Sequence, residues 1–319
     1  MEQIHLRPAE PERDFAQIAD LFTLEQDEPT TATDLSADYE AHKARIFRLM
    51  VAEDEQGNLL GFNWATRSRF NNADAYFFVI VRPEWRNQGV GRRLYEDVEQ
   101  AARTEGVKKL EVSVRDNFPE CRAFAERRGF QERSHSIGMT LDLMEFDDRP
   151  YDAIIERLKA EGFQFTTMEA LGNTEEVQRK LYELNDTAAS ETPGAEGVHS
   201  WLSFEDFREK VCAANWYKPA GQMVVLETAT GIWVSMSAIT RFQDVDYAYN
   251  LFTGTDSRYR GRKLAQAVKV LALRFARDVL KVQTVKTHHN AKNDPMIAID
   301  RKLGYVETPG NYAMEKLFG

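Results

Sequence analysis

Two stretches of this chain carry the same strand, turn and helix in the same order. The first reads Val81-Arg82-Pro83-Glu84-Trp85-Arg86-Asn87-Gln88-Gly89-Val90-Gly91-Arg92-Arg93-Leu94. The second, 174 residues later, reads Thr255-Asp256-Ser257-Arg258-Tyr259-Arg260-Gly261-Arg262-Lys263-Leu264-Ala265. A Gly-aromatic pair follows each at nearly the same distance: Gly129-Phe130 begins 48 residues after Val81, and Gly304-Tyr305 begins 49 after Thr255. Two landmarks repeating at one offset predict a duplicated fold. At each turn an apolar strand gives way to an amphipathic helix whose first amides have no partner inside the helix. Those amides carry the positive end of the helix dipole. Glycines let a ligand come close, and Arg86 and Arg92 add charge, so the corner suits a phosphate or diphosphate.

The chain has 319 residues, which favours two cores over one. With 41 Lys+Arg against 51 Asp+Glu, the formal net charge is -10. That balance argues against a nucleic-acid binder or an anionic-membrane binder and leaves room for a cationic substrate. The two cysteines, Cys121 and Cys212, fall one in each half, away from any metal-ligand spacing. No metal site or structural disulfide is expected. No signal pattern opens the sequence, and no apolar run is long enough to span a bilayer, so a reducing cytoplasm is the expected compartment.

The hydrophobic periodicity gives the order β-α-α-β-β-β-α-β-α-β twice. In the first half the strands fall at 4–7, 47–52, 59–66, 75–81, 110–114 and 134–143, with helices at 15–22, 35–46, 91–104 and 119–128. A polar, proline-ended stretch near 145–150 separates the halves, placing domains at 1–146 and 147–319. In the second half the Ser203/Asp206 pair predicts a helix start. The stretch 188–197 is small and polar and reads as a loop or lid. The expected class is α+β, each unit a mixed, mostly antiparallel sheet with helices on both faces.

The turns lack the Gly-Lys-Ser/Thr ending of a nucleotide-triphosphate loop. They also lack the third glycine of a dinucleotide fingerprint, where Leu94 stands instead. The string Val81, Pro83, Arg86, Gly89, Gly91 resembles the acetyl-CoA motif of the GNAT acetyltransferase superfamily. The second copy keeps Arg260 and Ala265 in register, but Lys263 replaces the middle glycine. Asn117 and Gly129-Phe130 extend the resemblance in the first half. Asn290, Asn293 and Gly304-Tyr305 extend it in the second, which looks like the C-terminal half of tandem GNAT proteins of the mycothiol synthase kind.

The resemblance implies acetyl-CoA as cofactor and a small-molecule amine as partner; with the charge balance and the lack of a long apolar run, neither nucleic acid nor membrane is expected as a partner, and a monomer or homodimer is expected. In the first half the implied cofactor contacts are Val79, Ile80, Val81, Arg86, Asn87, Gln88, Gly89, Val90, Gly91, Arg92 and Asn117. In the second they are Thr253, Thr255, Arg260, Gly261, Arg262, Lys263, Leu264, Ala265, Asn290 and Asn293. Asn293 reads equally well as a helix cap. Direct transfer needs a carboxylate or a water it positions to take the amine proton. Asp74, on the strand before the first turn, and Asp246, before the second, are the expected catalytic residues. The tyrosine many relatives use to protonate the thiolate is absent, its positions being Ala125 and Asp300. His288 and His289 read as surface residues at a strand end. A non-catalytic acetyl-CoA sensor or scaffold is the competing reading.

Overall fold

The computed structural model describes residues 4–25, 30–194, 197, 199–243 and 245–319. The chain divides into two compact units: residues 1–133 with 312–319, and residues 134–311.

The first unit contains β1 (His5–Pro8), α1 (Pro11–Glu25), α2 (Ala32–His42), β2 (Ile46–Glu53), β3 (Leu59–Arg67), β4 (Asp74–Val81), α3 (Val90–Thr104), β5 (Lys109–Arg115) and α4 (Pro119–Glu126). β6 (Gln131–Asp142) leaves it for the second unit. There follow α5 (Asp152–Ala160), β7 (Phe163–Thr167), α6 (Glu175–Ser190), α7 (Phe204–Phe207), β8 (Gln222–Glu227), β9 (Trp233–Thr240), β10 (Tyr247–Thr255), α8 (Leu264–Asp278), β11 (Thr284–Asn290) and α9 (Asp294–Leu303). β12 (Val306–Leu317) returns its last residues to the first unit.

The first unit's strand order is β1-β2-β3-β4-β5, with the end of β12 beside β5. The second unit's order is β6-β11-β10-β9-β8-β7. In each, one pair is parallel, β4 with β5 and β10 with β11, and the other registered pairs are antiparallel. Alternation along β4 explains why each sheet needs helices on both faces. Ile80 packs with Phe15, Ile18 and Phe22 of α1, while Ala75 and Phe77 pack with Tyr95 and Val98 of α3. The second unit repeats this, with α8 over one face and α6 and α7 over the other. Both units are α+β with mixed sheets, the class read from the sequence.

Several boundaries differ from the sequence reading, each for a local reason. The helix expected at 35–46 starts at Ala32, because Thr31 and Asp34 form a reciprocal capping box. It ends at His42, because Ile46 belongs to β2. Of the expected loop 188–197, the first residues complete α6, and Ala195 and Glu196 lie outside the described residues. The contact-based division differs from a boundary at 146/147. Met139 and Leu141 of β6 are buried in the second unit's core. Met314 of β12 is buried with Phe77, Leu110 and Phe130 in the first unit's core. Among the described residues, no helix is long and apolar enough to cross a membrane.

Met314, only 1% exposed, leaves a cavity when truncated. Met314→Ala is expected to destabilise the first unit by about 2–5 kcal/mol. Hydrogen exchange should quicken in α3 and β5 and stay unchanged in α8.

Candidate active site

The parallel ladders are short. β4 and β5 are registered only from Asp74↔Lys109 to Tyr76↔Glu111, although β4 continues to Val81 and β5 to Arg115. β10 and β11 are registered only from Tyr247↔Thr284 to Tyr249↔Lys286. In both units the strands part after three residue pairs. Each fork leaves one edge of main chain available to an extended ligand, and the strand-to-helix turn stands at its open end.

The two turns share one backbone. Val81 leads into a 3-10 turn at Pro83–Trp85, then two left-handed residues, Asn87 at φ 60° and Gly89 at φ 90°. Thr255 leads into a 3-10 turn at Ser257–Tyr259, then Gly261 at φ 80° and Lys263 at φ 73°. Lys263 therefore takes the conformation that Gly89 takes, and Gly261 takes that of Asn87. The sequence reading saw a misplaced glycine. The structure has two left-handed positions per turn, with the glycine on the first in one copy and on the second in the other. An L side chain in that region costs about 1–2 kcal/mol, a strain Lys263 carries with its side chain exposed.

Each turn is held by an arginine. Arg86 Nε donates to the Val81 carbonyl at 3.2 Å, and its guanidinium pairs with Glu25 at the end of α1. Arg260 Nε donates to the Thr255 carbonyl at 3.2 Å, and its guanidinium pairs with Glu191 at 2.7 Å, just past α6. The expected role of Arg86 as bare positive charge is thus altered: a carboxylate already neutralises it, and it braces the loop. Gln88, exposed, donates to the Glu84 carbonyl at 2.8 Å. Arg262 leans away, its guanidinium 3.3 Å from Glu161 and over the Phe163 ring at 4.6 Å. Arg92 stays exposed, with Glu96 3.9 Å away.

What remains for an anion is main chain. No side chain caps the first turn of α3 or of α8. The first intrahelical bonds reach back from Arg93 to Gly89 at 3.1 Å and from Ala267 to Lys263 at 3.0 Å. The amides of Val90, Gly91 and Arg92, and of Leu264 and Ala265, precede them. A Cβ placed on Gly89 would meet nothing closer than Arg92 at 4.0 Å, and one on Gly261 nothing within 4 Å. These corners are open and positively polarised, surroundings that favour an anion. Each helix is also pinned to its sheet. In the first unit the buried Asn63 accepts from the Met50 amide at 3.0 Å and donates to the Leu94 carbonyl at 2.9 Å.

Other expected contacts are engaged elsewhere. Thr253 and Thr255 face β9, where their hydroxyls lie 2.9 Å from Ser237 Oγ and 2.7 Å from Ser235 Oγ. Asn290 donates to the Gly194 carbonyl at 3.1 Å. Asn293 caps α9 through the Met296 amide at 3.4 Å. Asn117 is exposed beyond β5, with its Oδ1 3.4 Å from Arg115 Nε. Val79, Ile80 and Val81 lie on β4 past the last rung of the parallel ladder.

Of the expected catalytic carboxylates, Asp74 sits on the first rung of the β4–β5 ladder, at the closed end of the fork, 3.1 Å from Lys109 Nζ. Asp246 is exposed, one residue before β10. Seven residues along a strand span roughly 23 Å, so Asp74 is a strand's length from the turn.

Beside the second fork, His288 and His289 have partners that a surface reading does not give them. Successive residues of β11 face opposite ways, and its two histidines are not equivalent. His288 Nδ1 hydrogen-bonds the Tyr249 hydroxyl. Partial desolvation by its neighbours and, after it, the adjacent His289 hold the His288 pKa below the usual histidine value, although the residue is exposed at the surface. His289 Nε2 lies 2.7 Å from Asp300 Oδ2. Asp300 forms an ion pair with Lys269, both 0% exposed. Burial drives the Lys269 pKa down against the pull of Asp300. Asp300, expected at the place of a thiolate-protonating tyrosine, is a partner of Lys269 and His289. Spacing alone hid this, because α8, α9 and β11 meet only in the folded unit.

Asp300→Asn leaves Lys269 without its counter-charge in a dry site. The variant is expected to lose about 3–5 kcal/mol, read by denaturant unfolding, whereas Lys269→Met with Asp300→Leu should recover most of that loss.

Residues 14–130 match the family described as Acetyltransferase (GNAT) family. The mycothiol acetyltransferase of Thermobifida fusca (strain YX) is 26% identical over 270 residues, covering 81% of this chain and 79% of that protein. Among solved structures, a tandem GNAT protein from the clavulanic acid biosynthesis pathway has a TM-score of 0.72 at 20% identity, covering 99% of both chains. A GCN5-related N-acetyltransferase from Sphaerobacter thermophilus has a TM-score of 0.71 at 17% identity, covering 98% of this chain and 95% of that one. These two likenesses establish the fold.

Proposed function

We propose that this chain is a tandem GNAT-superfamily N-acetyltransferase, its C-terminal half resembling that of mycothiol synthase-like proteins, and that it moves the acetyl group of acetyl-CoA directly onto a small primary amine. Both substrates are bound together, and no acetylated enzyme intervenes. The observation that carries this reading is the pair of forks, each ending in an uncapped helix start. The diphosphate of acetyl-CoA is held by the amides of Gly89, Val90, Gly91 and Arg92 in the first unit. Gly261, Lys263, Leu264 and Ala265 offer the same main-chain path in the second. The pantetheine arm lies along the parted edge of β4, with Val79, Ile80 and Val81 supplying main-chain groups to the arm and the thioester carbonyl. The same role falls to the end of β10, where Thr253 and Thr255 contribute main chain.

Arg86 and Arg260 shape these loops from behind, and their glutamate partners fix them there. Asp74 belongs to the frame: its bond to Lys109 closes the fork. Asp74→Asn should therefore change kcat for amine acetylation by less than about threefold, and a hundredfold loss would return it to the role of base.

The turn itself is tested by Gly89→Glu. It forces a side chain into the left-handed region and brings negative charge to the anion corner. Isothermal titration should show the loss of one acetyl-CoA site of two, and Lys263→Glu should remove the other. Full stoichiometry in both variants would contradict the assignment.

A further inference from the structure

Resting on the acetyl-transfer reading above, we propose that the second unit is where the amine loses its proton, that His288 is the base that takes it, and that Tyr249 positions the ring. Tyr249 is on the last rung of the β10–β11 ladder. One residue further, Thr287 Oγ1 donates to the Asn250 carbonyl at 2.9 Å, and the strands part. His288 comes next on β11, at the mouth of the fork. The β9–β10 register slips between Asn250 and Phe252, so the strand is kinked just there.

The ring is arranged for the task. The tautomer proposed has the proton on Nδ1, donated to the Tyr249 oxygen; His288 then keeps the Nε2 lone pair free, and among the described residues Nε2 has no hydrogen-bond partner. Its depressed pKa keeps that lone pair available at neutral pH. The surroundings suit a cationic acceptor. Trp216, Phe242 and Tyr249 form a run of rings with centroids 6.0 and 6.3 Å apart, and Tyr249 lies 5.8 Å from the imidazole. On the same β10–β11 ladder, the Lys286 ammonium already lies over the Tyr247 ring at 3.9 Å. The class of acceptor is a primary amine with an aliphatic or aromatic body, delivered as an ammonium ion.

In the first unit the corresponding places are filled differently. Tyr76 is on the last rung, but Ser113 takes the register of His288. Glu111 is 3.0 Å from Lys109 and 3.6 Å from Arg133. Burial raises the Glu111 pKa, but Tyr76 and these cations outweigh it and hold the carboxylate below its usual range. It is a poor base.

The step balances. His288 Nε2 takes one proton from the ammonium and passes it to water. The amine lone pair forms the N–C bond to the thioester carbon. The C–S bond breaks with its electron pair going to sulfur. The second nitrogen proton goes to Nε2, which returns it to water, and the thiolate takes a proton from water, giving amide, free thiol and a neutral His288.

The experiment measures thiol release by the full chain with spermidine, glucosamine and phenethylamine as probes. For each amine the wild type acetylates, His288→Gln should lower kcat by about 10²-fold or more, with KM for acetyl-CoA within about twofold. Added imidazole should restore part of the rate of His288→Ala, which a merely structural role would not allow. Tyr249→Phe should lower kcat by about tenfold and leave KM for acetyl-CoA alone. A wild-type rate in His288→Gln, or no imidazole rescue of His288→Ala, overturns this inference and leaves the acetyl-transfer reading standing. A wild type that acetylates none of the three amines overturns both.

Discussion

Everything at the two forks depends on a backbone reversal that only left-handed residues can make. Asn87 and Gly89, and in the second copy Gly261 and Lys263, turn the chain so that a helix begins directly at the end of a strand. Without those angles the first amides of α3 and α8 would not face the parted strands. The reversal is reinforced from behind by an arginine that bonds the carbonyl five residues earlier and a carboxylate at a helix end. The same three-part device in both units is the strongest structural sign that they are copies of one design.

The copies have kept the backbone and changed the side chains. A glycine in the first unit is a strained lysine in the second. Tyrosine holds the last rung of both ladders, but it meets Glu111 in one and His288 in the other. The second unit also buries an ion pair, Lys269 with Asp300, that reaches His289. Such a pair is expensive to desolvate, and it holds α8, α9 and β11 in one arrangement beneath the fork. Duplication thus left one frame with two chemical surroundings.

Much of this was legible in the sequence. The repeat itself followed from the spacing of Val81, Gly129, Thr255 and Gly304, and the turns followed from their glycines and arginines. Local signals carry that kind of information, because strand-to-helix corners restrict residue type. What was not legible depended on partners distant in sequence. Period-two alternation marks β6 and β12 as strands but says nothing about which sheet receives them, so a linear boundary does not show that Met139 is buried in the second unit's core and Met314 in the first unit's. His288 and His289 read as a surface pair because adjacent strand residues give no hint of what each face meets. Thr253 and Thr255 matched a binding pattern, yet their hydroxyls face β9. Lys263 looked like a lost glycine until its φ angle was known.

The exchange of strand ends has a consequence for how the molecule is made. The first sheet takes its last strand from residues 312–319. During synthesis, the N-terminal half leaves the ribosome with an unpaired β5 edge and a core lacking Met314. It cannot finish until residues 312–319 have been made. Maturation of the first unit is thereby tied to the synthesis of residues 312–319, and a nascent chain stalled anywhere before them carries an exposed edge for chaperones to shield.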